Sequence, residues 1–179
     1  MRIQKTLAII GAGITALALT ASALGREEGP KPPPVKPAQG LVMSHDMSLE
    51  MAKAAAEATL NHCRQGGYHT VAVVVDRGGQ VLVMLRDEQA TYSMMEMARR
   101  KAYTARMFRR PTAEWAERTR PGTDINAQRD LADVLALSGG VPIKIGDETI
   151  GAVGSAGSTL ELDDACAKAG VAKAEALMK

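Results

Sequence analysis

Aromatic residues are scarce in this chain. Phe, Trp and Tyr together make up 3% of its 179 residues, with one Trp and one Phe. Hydrophobic residues of all kinds still reach 46%, which is enough for a real core. The interior must therefore be built from Ala, Val, Leu, Ile and Met, and a pocket lined by stacked aromatic rings is not expected.

The sequence also lacks the motifs of several enzyme classes. It has no Ser-His-Asp order, no paired metal-ligand motif and no phosphate loop. Gly151, Gly154 and Gly157 recur at every third position, which is not the Gly-x-Gly-x-x-Gly spacing of a dinucleotide site. No catalytic residue is therefore assigned. The glycines predict close packing of a helix on a sheet, with ligand contact as the alternative.

The first 23 residues have the pattern of a cleaved secretory signal peptide. Arg2 and Lys5 precede an apolar run over 6–20, and Ala21 to Ala23 give a small-x-small cleavage site. An uncleaved membrane anchor is the alternative, but the run is short and rich in Ala and Gly. We therefore expect a bacterial protein that is either periplasmic or secreted. After cleavage the mature protein is expected to have no stable membrane anchor.

The excess of positive charge in the chain comes from the predicted signal peptide. The formal net charge of the whole chain is +2. Cleavage removes two basic residues and no acidic one, so the net charge of the mature chain is zero. A nucleic-acid partner, which would need a clustered basic face, loses its compositional support.

Proline is concentrated in one segment. Five of the eight prolines lie between residues 24 and 40, where the chain favours extended polyproline II and buries little. Residues 24–44 are therefore expected to form a Pro-rich linker, and residues 45–179 the folded domain.

Hydrophobic periodicity predicts an α+β domain. Ser48 is a suitable N-cap for a first helix that ends at Gly66 and Gly67. The charged loop 86–88 is expected to be solvated. The predicted elements are helices at 48–66, 91–109 and 160–177, hairpins at 70–86 and 141–153, and a middle strand at 132–137, which gives five strands.

The central helix carries two polar residues on an otherwise apolar face. Met94, Met97, Lys101, Thr104 and Phe108 follow one another at spacings of three and four. Lys101 and Thr104 either line a pocket or have structural roles, the lysine reaching solvent and the threonine bonding to helix carbonyls. The methionines are either core residues or a source of soft thioether ligands.

The three histidines do not define a metal site. His62 and His69 are interpreted as surface or capping residues rather than ligands. His45 lies between two methionines in a short cluster of possible transition-metal donors, but no second donor cluster accompanies it. The sequence therefore assigns no metal ligand.

Three blocks of the sequence resemble a known family. They are VAVVVDRGG at 71–79, RKAYTA with the following Phe108 and Arg110-Pro-Thr112, and GGVPIKIGDETIGAVGSAG with the acidic helix start at 161–164. In this order they resemble the GlcG/HbpS family of haem-binding proteins, which includes the C-terminal domain of PduO-type proteins. The resemblance covers about 45–179.

The resemblance implies a fold and a function. It implies a profilin-like, five-stranded antiparallel sheet flanked by helices, in a homo-oligomer. It further implies a haem-binding protein with possible haem-degrading or iron-sequestering activity, and candidate cofactor-binding residues Lys101, Thr104, Arg120 and Thr123. The alternative is a non-catalytic accessory protein of glycolate-type metabolism, in which Lys101 and Arg120 receive a small carboxylate.

Cys63 and Cys166 are the only cysteines, an even number that suits an oxidising compartment. They fall late in the first helix and early in the last, and in the family's fold those helices can share one face of the sheet. A disulfide between them is therefore a candidate. Two small buried apolar residues are the alternative.

Overall fold

The computed structural model of the protein describes residues 33, 37 and 39–179. Its compact unit is Val42–Lys179. The predicted signal peptide, residues 1–23, and much of the Pro-rich linker lie outside the described residues. Among those that are described, no helix is both long and apolar enough to cross a bilayer.

The domain is α+β, with four α-helices and one four-stranded antiparallel sheet. The strand order in the sheet is β2-β1-β4-β3, so β1 and β4 are central. In chain order the elements are α1 Leu49–Gln65, β1 Val71–Val75, β2 Val81–Arg86, α2 Ser93–Phe108, α3 Thr112–Arg118, a 3₁₀ helix Asn126–Asp130, β3 Gly140–Ile145, β4 Glu148–Ala156 and α4 Leu160–Ala176.

The predicted fifth strand, at 132–137, does not form. Asp133 adopts a left-handed conformation with φ 64°, and the N–H of Val134 donates to the carbonyl of Leu131 in a turn. The N–H of Leu135 donates to Thr104 Oγ1 at 2.8 Å. The five-strand prediction was wrong because a turn and an α2 side chain, rather than a neighbouring strand, satisfy these backbone groups.

Helices cover both faces of the sheet, as expected. The strand β1 is buried throughout, and its successive side chains point to opposite faces. One core joins α2 to the sheet and the other joins α1 and α4 to it. The first contains Val71, Val73, Val75, Ala98, Ala102 and Ala105; the second contains Ala55, Ala56, Ala72, Val74, Val153, Ala167 and Val171.

Glycines set how closely α2 approaches the sheet. Gly140 and Gly154 pair across β3 and β4. A Cβ atom at Gly154 would lie 2.1 Å from the carbonyl oxygen of Ala98, and one at Gly140 would lie 2.3 Å from that of Lys101. This confirms the predicted close packing of a helix on the sheet for Gly154, whereas Gly151 lies against the backbone of Val75 in β1 and Gly157 against that of His69 and Thr70.

The two cysteines form a disulfide in the structure. Cys63, in the last turns of α1, bonds to Cys166 in α4, with a Cα–Cα distance of 5.6 Å. Both residues are fully buried. Of the two alternatives that the sequence left open, the structure therefore has the bonded one.

Candidate functional site

A cavity of about 550 Å³ lies where β1 begins and β4 ends. Its volume is within the range of about 300–1,000 Å³ that is usual for small-molecule sites. The walls come from the α1–β1 connection, the start of α2 and the β4–α4 connection. The lining residues are Gly67, Tyr68, His69, Gln89, Ala90, Thr91, Met94, Met97, Lys101, Gly157, Ser158, Leu160 and Asp163.

His69 is held at this cavity by a buried carboxylate. Its Nδ1 lies 2.7 Å from Oδ1 of Asp87, a residue that is only 1% exposed. The other carboxylate oxygen accepts a hydrogen bond from Arg64 Nε at 2.7 Å. A carboxylate oxygen can only accept, so Nδ1 carries a proton, and in the neutral ring Nε2 is then the nitrogen with a free lone pair.

The same contacts keep Asp87 ionised. The hydrogen bond from Arg64 is the main reason that the pKa of Asp87 falls to about 2, and the N–H of Gln89 and the His69 ring add to this effect. Burial acts in the opposite direction but is outweighed. The imidazole therefore has a fixed negative partner across the physiological pH range.

This pKa predicts how stability depends on pH. A carboxyl whose folded pKa lies below its unfolded value of about 3.9 stabilises the fold above that value, and this stabilisation is lost as pH falls to about 2. We expect Asp87→Asn to remove part of the drop in unfolding free energy between pH 4 and pH 2. Urea denaturation at a series of pH values measures it; parallel curves for the two proteins would contradict the assignment.

Lys101 lines the cavity, but its ammonium group is already paired. Lys101 Nζ donates to Asp163 Oδ2 at 2.6 Å and to the carbonyl of Ser155 at 2.9 Å, and the side chain is fully buried. Asp163 is 2% exposed, and its Oδ1 accepts from both the N–H and the hydroxyl of Ser158. Lys101 therefore ties α2 to the end of β4 and the start of α4, and it does not reach solvent.

The two methionines give the cavity a soft, apolar wall. Met94 and Met97 line it, and with Met95 they pack against the core beneath α2. All three are partly exposed rather than fully buried. The methionine stripe thus belongs both to the core and to the cavity, and the two interpretations of it are compatible.

The other three candidate residues lie elsewhere. Thr104 is fully buried, and its hydroxyl oxygen accepts from the N–H of Leu135. Arg120 is exposed in the loop after α3, and the Thr123 hydroxyl donates to the carbonyl of Arg120 at 2.9 Å. Of the four residues proposed from the sequence, only Lys101 lines the cavity beside His69.

Sequence reasoning missed the pair of His69 and Asp87. Loop 86–88 was expected to be solvated, whereas Asp87 is buried and holds residues from two other segments. The only local signal in the sequence was the position of His69, which lies two residues before the start of β1. In the described part of the chain no group of three or more His, Cys, Asp and Glu side chains is arranged to hold a metal ion.

The fold and the cavity define a small α+β domain with one oriented imidazole at a ligand-sized site. The chain belongs to the HbpS-like family: the family model described as "Haem degrading protein HbpS-like" matches residues 47–172. This confirms the GlcG/HbpS resemblance noted in the sequence.

Individual relatives agree with this assignment. A crystal structure of a double mutant of HbpS from Streptomyces reticuli is 34% identical, with a TM-score of 0.70 over 80% of this chain and 97% of that one. An uncharacterized 15.0 kDa protein of Citrobacter freundii is 32% identical, over 65% of this chain and 84% of its own. Protein GlcG of Escherichia coli K12 is 30% identical, over 60% and 79% respectively.

Proposed function

We propose that this chain is an exported protein that binds haem or a related tetrapyrrole in the cavity beside His69, where His69 Nε2 would hold the iron. The observation that carries the proposal is the hydrogen bond between His69 Nδ1 and the buried carboxylate of Asp87. A ligating histidine typically donates its other N–H to a carboxylate in this way, which fixes the tautomer and raises the basicity of the ligand.

The chemistry of the cavity fits such a ligand. An imidazole that is 44% exposed is accessible to the iron, and the thioethers of Met94 and Met97 offer an apolar, polarizable wall. Haem, when bound, would supply redox-active iron. The residues of this chain would hold it. The ammonium of Lys101 and the carboxylate of Asp163 neutralise each other, so this ion pair adds little net charge to the cavity.

His69→Gln is expected to weaken haemin binding at least about tenfold, because it removes the neutral imidazole donor. Asp87→Asn is expected to weaken binding by about 10–100-fold, the usual effect of losing the group that orients a ligand. The measurement is a haemin titration of the purified protein, followed by Soret absorption and with a fitted stoichiometry.

His62→Gln is the matched control. His62 lies near the end of α1 and is not part of the cavity lining, so its variant should bind haemin as the unaltered protein does. Identical titrations for His69→Gln and the unaltered protein would place the iron ligand elsewhere. A Soret shift that never saturates would argue against a haem site altogether.

Haem degradation is a further step of this proposal, suggested by the family description. It is tested by following the Soret band of the loaded protein in the presence of ascorbate and oxygen. Loss of the band in the unaltered protein, but not in His69→Gln with an equal amount of haemin, is the expected result. A stable band would restrict the function to haem binding or iron sequestration.

Self-association belongs to the same proposal. The strands β2 and β3 form the two edges of the sheet, and an open antiparallel edge in a small domain favours assembly. We expect the purified protein to be a homo-oligomer, and light scattering coupled to gel filtration measures its mass with and without haemin.

Binding of a small carboxylate by Lys101 and Arg120, the alternative function, is less well supported by the geometry. The ammonium of Lys101 is bound to Asp163, and Arg120 is exposed outside the cavity. A carboxylate that entered beside Lys101 would also meet Asp163, which has the same charge. The haem proposal therefore accounts for more of the observed contacts.

A further inference from the structure

A second, smaller cavity lies at the opposite end of the sheet from His69. It has a volume of about 130 Å³ and adjoins the end of β1, the start of β4 and the last turn of α2. We call it the arginine cleft. Its lining residues are Arg77, Arg106, Arg109, Asp147, Glu148 and Thr149.

The charges of the arginine cleft are only partly paired. Glu148 forms an ion pair with Arg77, and His45 Nδ1 lies 2.8 Å from Glu148 Oε2. Arg106 and Arg109 make no hydrogen bond or ion pair among the described residues, and Arg106 Nε is buried without a partner. Among the described residues, the guanidinium groups of Arg106 and Arg109 therefore have no acceptor, and Asp147, the exposed carboxylate that also lines the cleft, forms no ion pair with them.

The arginine side chains of the cleft repel one another electrostatically. Burial lowers the pKa of Arg106, and the charges of Arg109 and Arg77 lower it further. Asp76 and Asp46 act in the opposite direction but do not offset this. An anion between the guanidinium groups would relieve both the unpaired donors and the repulsion.

Thr149 provides an independent sign of a ligand. The residue is 5% exposed, and its buried hydroxyl oxygen has no hydrogen-bond partner in the part of the chain that the structure describes. Basic residues near a helix C terminus often only complement the helix dipole. That role does not explain an unpaired hydroxyl in the same cleft, since buried polar groups are normally hydrogen-bonded.

We propose that the arginine cleft binds one small oxyanion, with the guanidinium of Arg106 as the main donor and the Thr149 hydroxyl as the second. A planar guanidinium suits the two oxygens of a carboxylate or of a phosphate. The cleft is too small for a nucleotide and has room for an anion the size of phosphate or acetate. This site is separate from the cavity beside His69, and it does not depend on the proposal that haem binds there.

Calorimetric titration with inorganic phosphate and, separately, with acetate tests the proposal at constant ionic strength. At least one of the two anions should bind saturably, at one site per chain. Arg106→Gln and Thr149→Val should each weaken that binding about tenfold, because each removes a direct donor to a charged group. Binding of phosphate would show that the cleft accepts a tetrahedral anion, and binding of acetate would show that it accepts a planar carboxylate.

Arg118→Gln is the matched control, since it removes an exposed arginine of α3 that is not part of the cleft. It should leave anion binding unchanged, and so should His69→Gln. Thr149→Val, which replaces a hydroxyl by a methyl of similar size, provides the test if Arg106→Gln does not fold.

Three results would overturn the proposal. The first is no saturable binding of either anion, and the second is an equal loss in Arg118→Gln, which would indicate unspecific attraction to surface charge. The third is unchanged anion binding in Arg106→Gln with an altered oligomeric mass, which would assign the arginines to a contact between copies of the chain.

Discussion

Lys101→Met is expected to lower the free energy of unfolding by about 3–5 kcal/mol, because it leaves the buried carboxylate of Asp163 without its cation. The remaining partner of Asp163, Ser158, donates hydrogen bonds but no charge. Urea denaturation followed by circular dichroism, with the disulfide kept oxidised, measures the change.

Two further variants isolate the ion pair. Lys144→Met makes the same substitution at an exposed position of β3 and should change stability little. The double variant Lys101→Met with Asp163→Leu should recover most of the loss, because an apolar pair replaces an ion pair of similar volume. A Lys101→Met protein as stable as the original would mean that the ion pair does not form in solution.

This expectation changes how binding data on Lys101 are interpreted. A loss of ligand affinity in Lys101→Met would follow from a displaced β4–α4 connection as readily as from a lost contact, because Lys101 joins α2 to both elements. His69 is the better position for testing the cavity, since its ring is 44% exposed and it belongs to neither hydrophobic core.

Removal of the disulfide, by Cys63→Ala with Cys166→Ala, is expected to cost up to about 4–5 kcal/mol. The bond closes a loop with a sequence separation of 103 residues, and a crosslink of that span removes much conformational freedom from the unfolded chain. Thermal and urea denaturation of the variant and of the oxidised protein measure the difference.

Reduction of the unaltered protein supplies the control. With excess reductant its stability should approach that of the double variant, whereas the reductant should leave the variant unaffected. Alkylation of the non-reduced protein followed by mass spectrometry should find no free thiol. Two alkylated cysteines in that experiment would show that the bond does not form in the purified protein.

Local signals in the sequence predicted most of the fold. Ser48 caps α1 and accepts a hydrogen bond from the N–H of Met51, and α4 begins at Leu160 as expected. The final hairpin was predicted because Gly146 and Asp147 separate two runs with strand periodicity. Each of these features depends on residues within a few positions of one another.

The fifth strand was wrong for a reason that lies outside its own residues. Segment 132–137 has the apolar content of a strand, but its N–H groups are satisfied by a turn and by Thr104, 31 positions earlier. Strand periodicity says nothing about whether a neighbouring strand is available. Asp133 has a positive φ in the turn, a conformation that a glycine would have indicated in the sequence, but no glycine stands there.

The candidate site could be predicted only in part, because its key contacts join distant residues. Lys101 stood out as a polar residue on an apolar helix face, but its partner Asp163 is 62 positions away and resembled an ordinary first-turn acid. Likewise, Asp87 lies 18 positions after His69 and 23 after Arg64. A single sequence does not indicate that such charges meet.

Gly140 and Gly154 also determine how a mutational scan of this protein should be interpreted. Any side chain at either position would collide with the backbone of α2 and push the helix away from the sheet, carrying Lys101 with it. Such variants would lose ligand binding although neither glycine is among the residues that line the cavity beside His69. In a screen scored by haemin binding alone, these two positions would rank with the residues that line the cavity, and only a parallel measurement of protein abundance would separate the two groups.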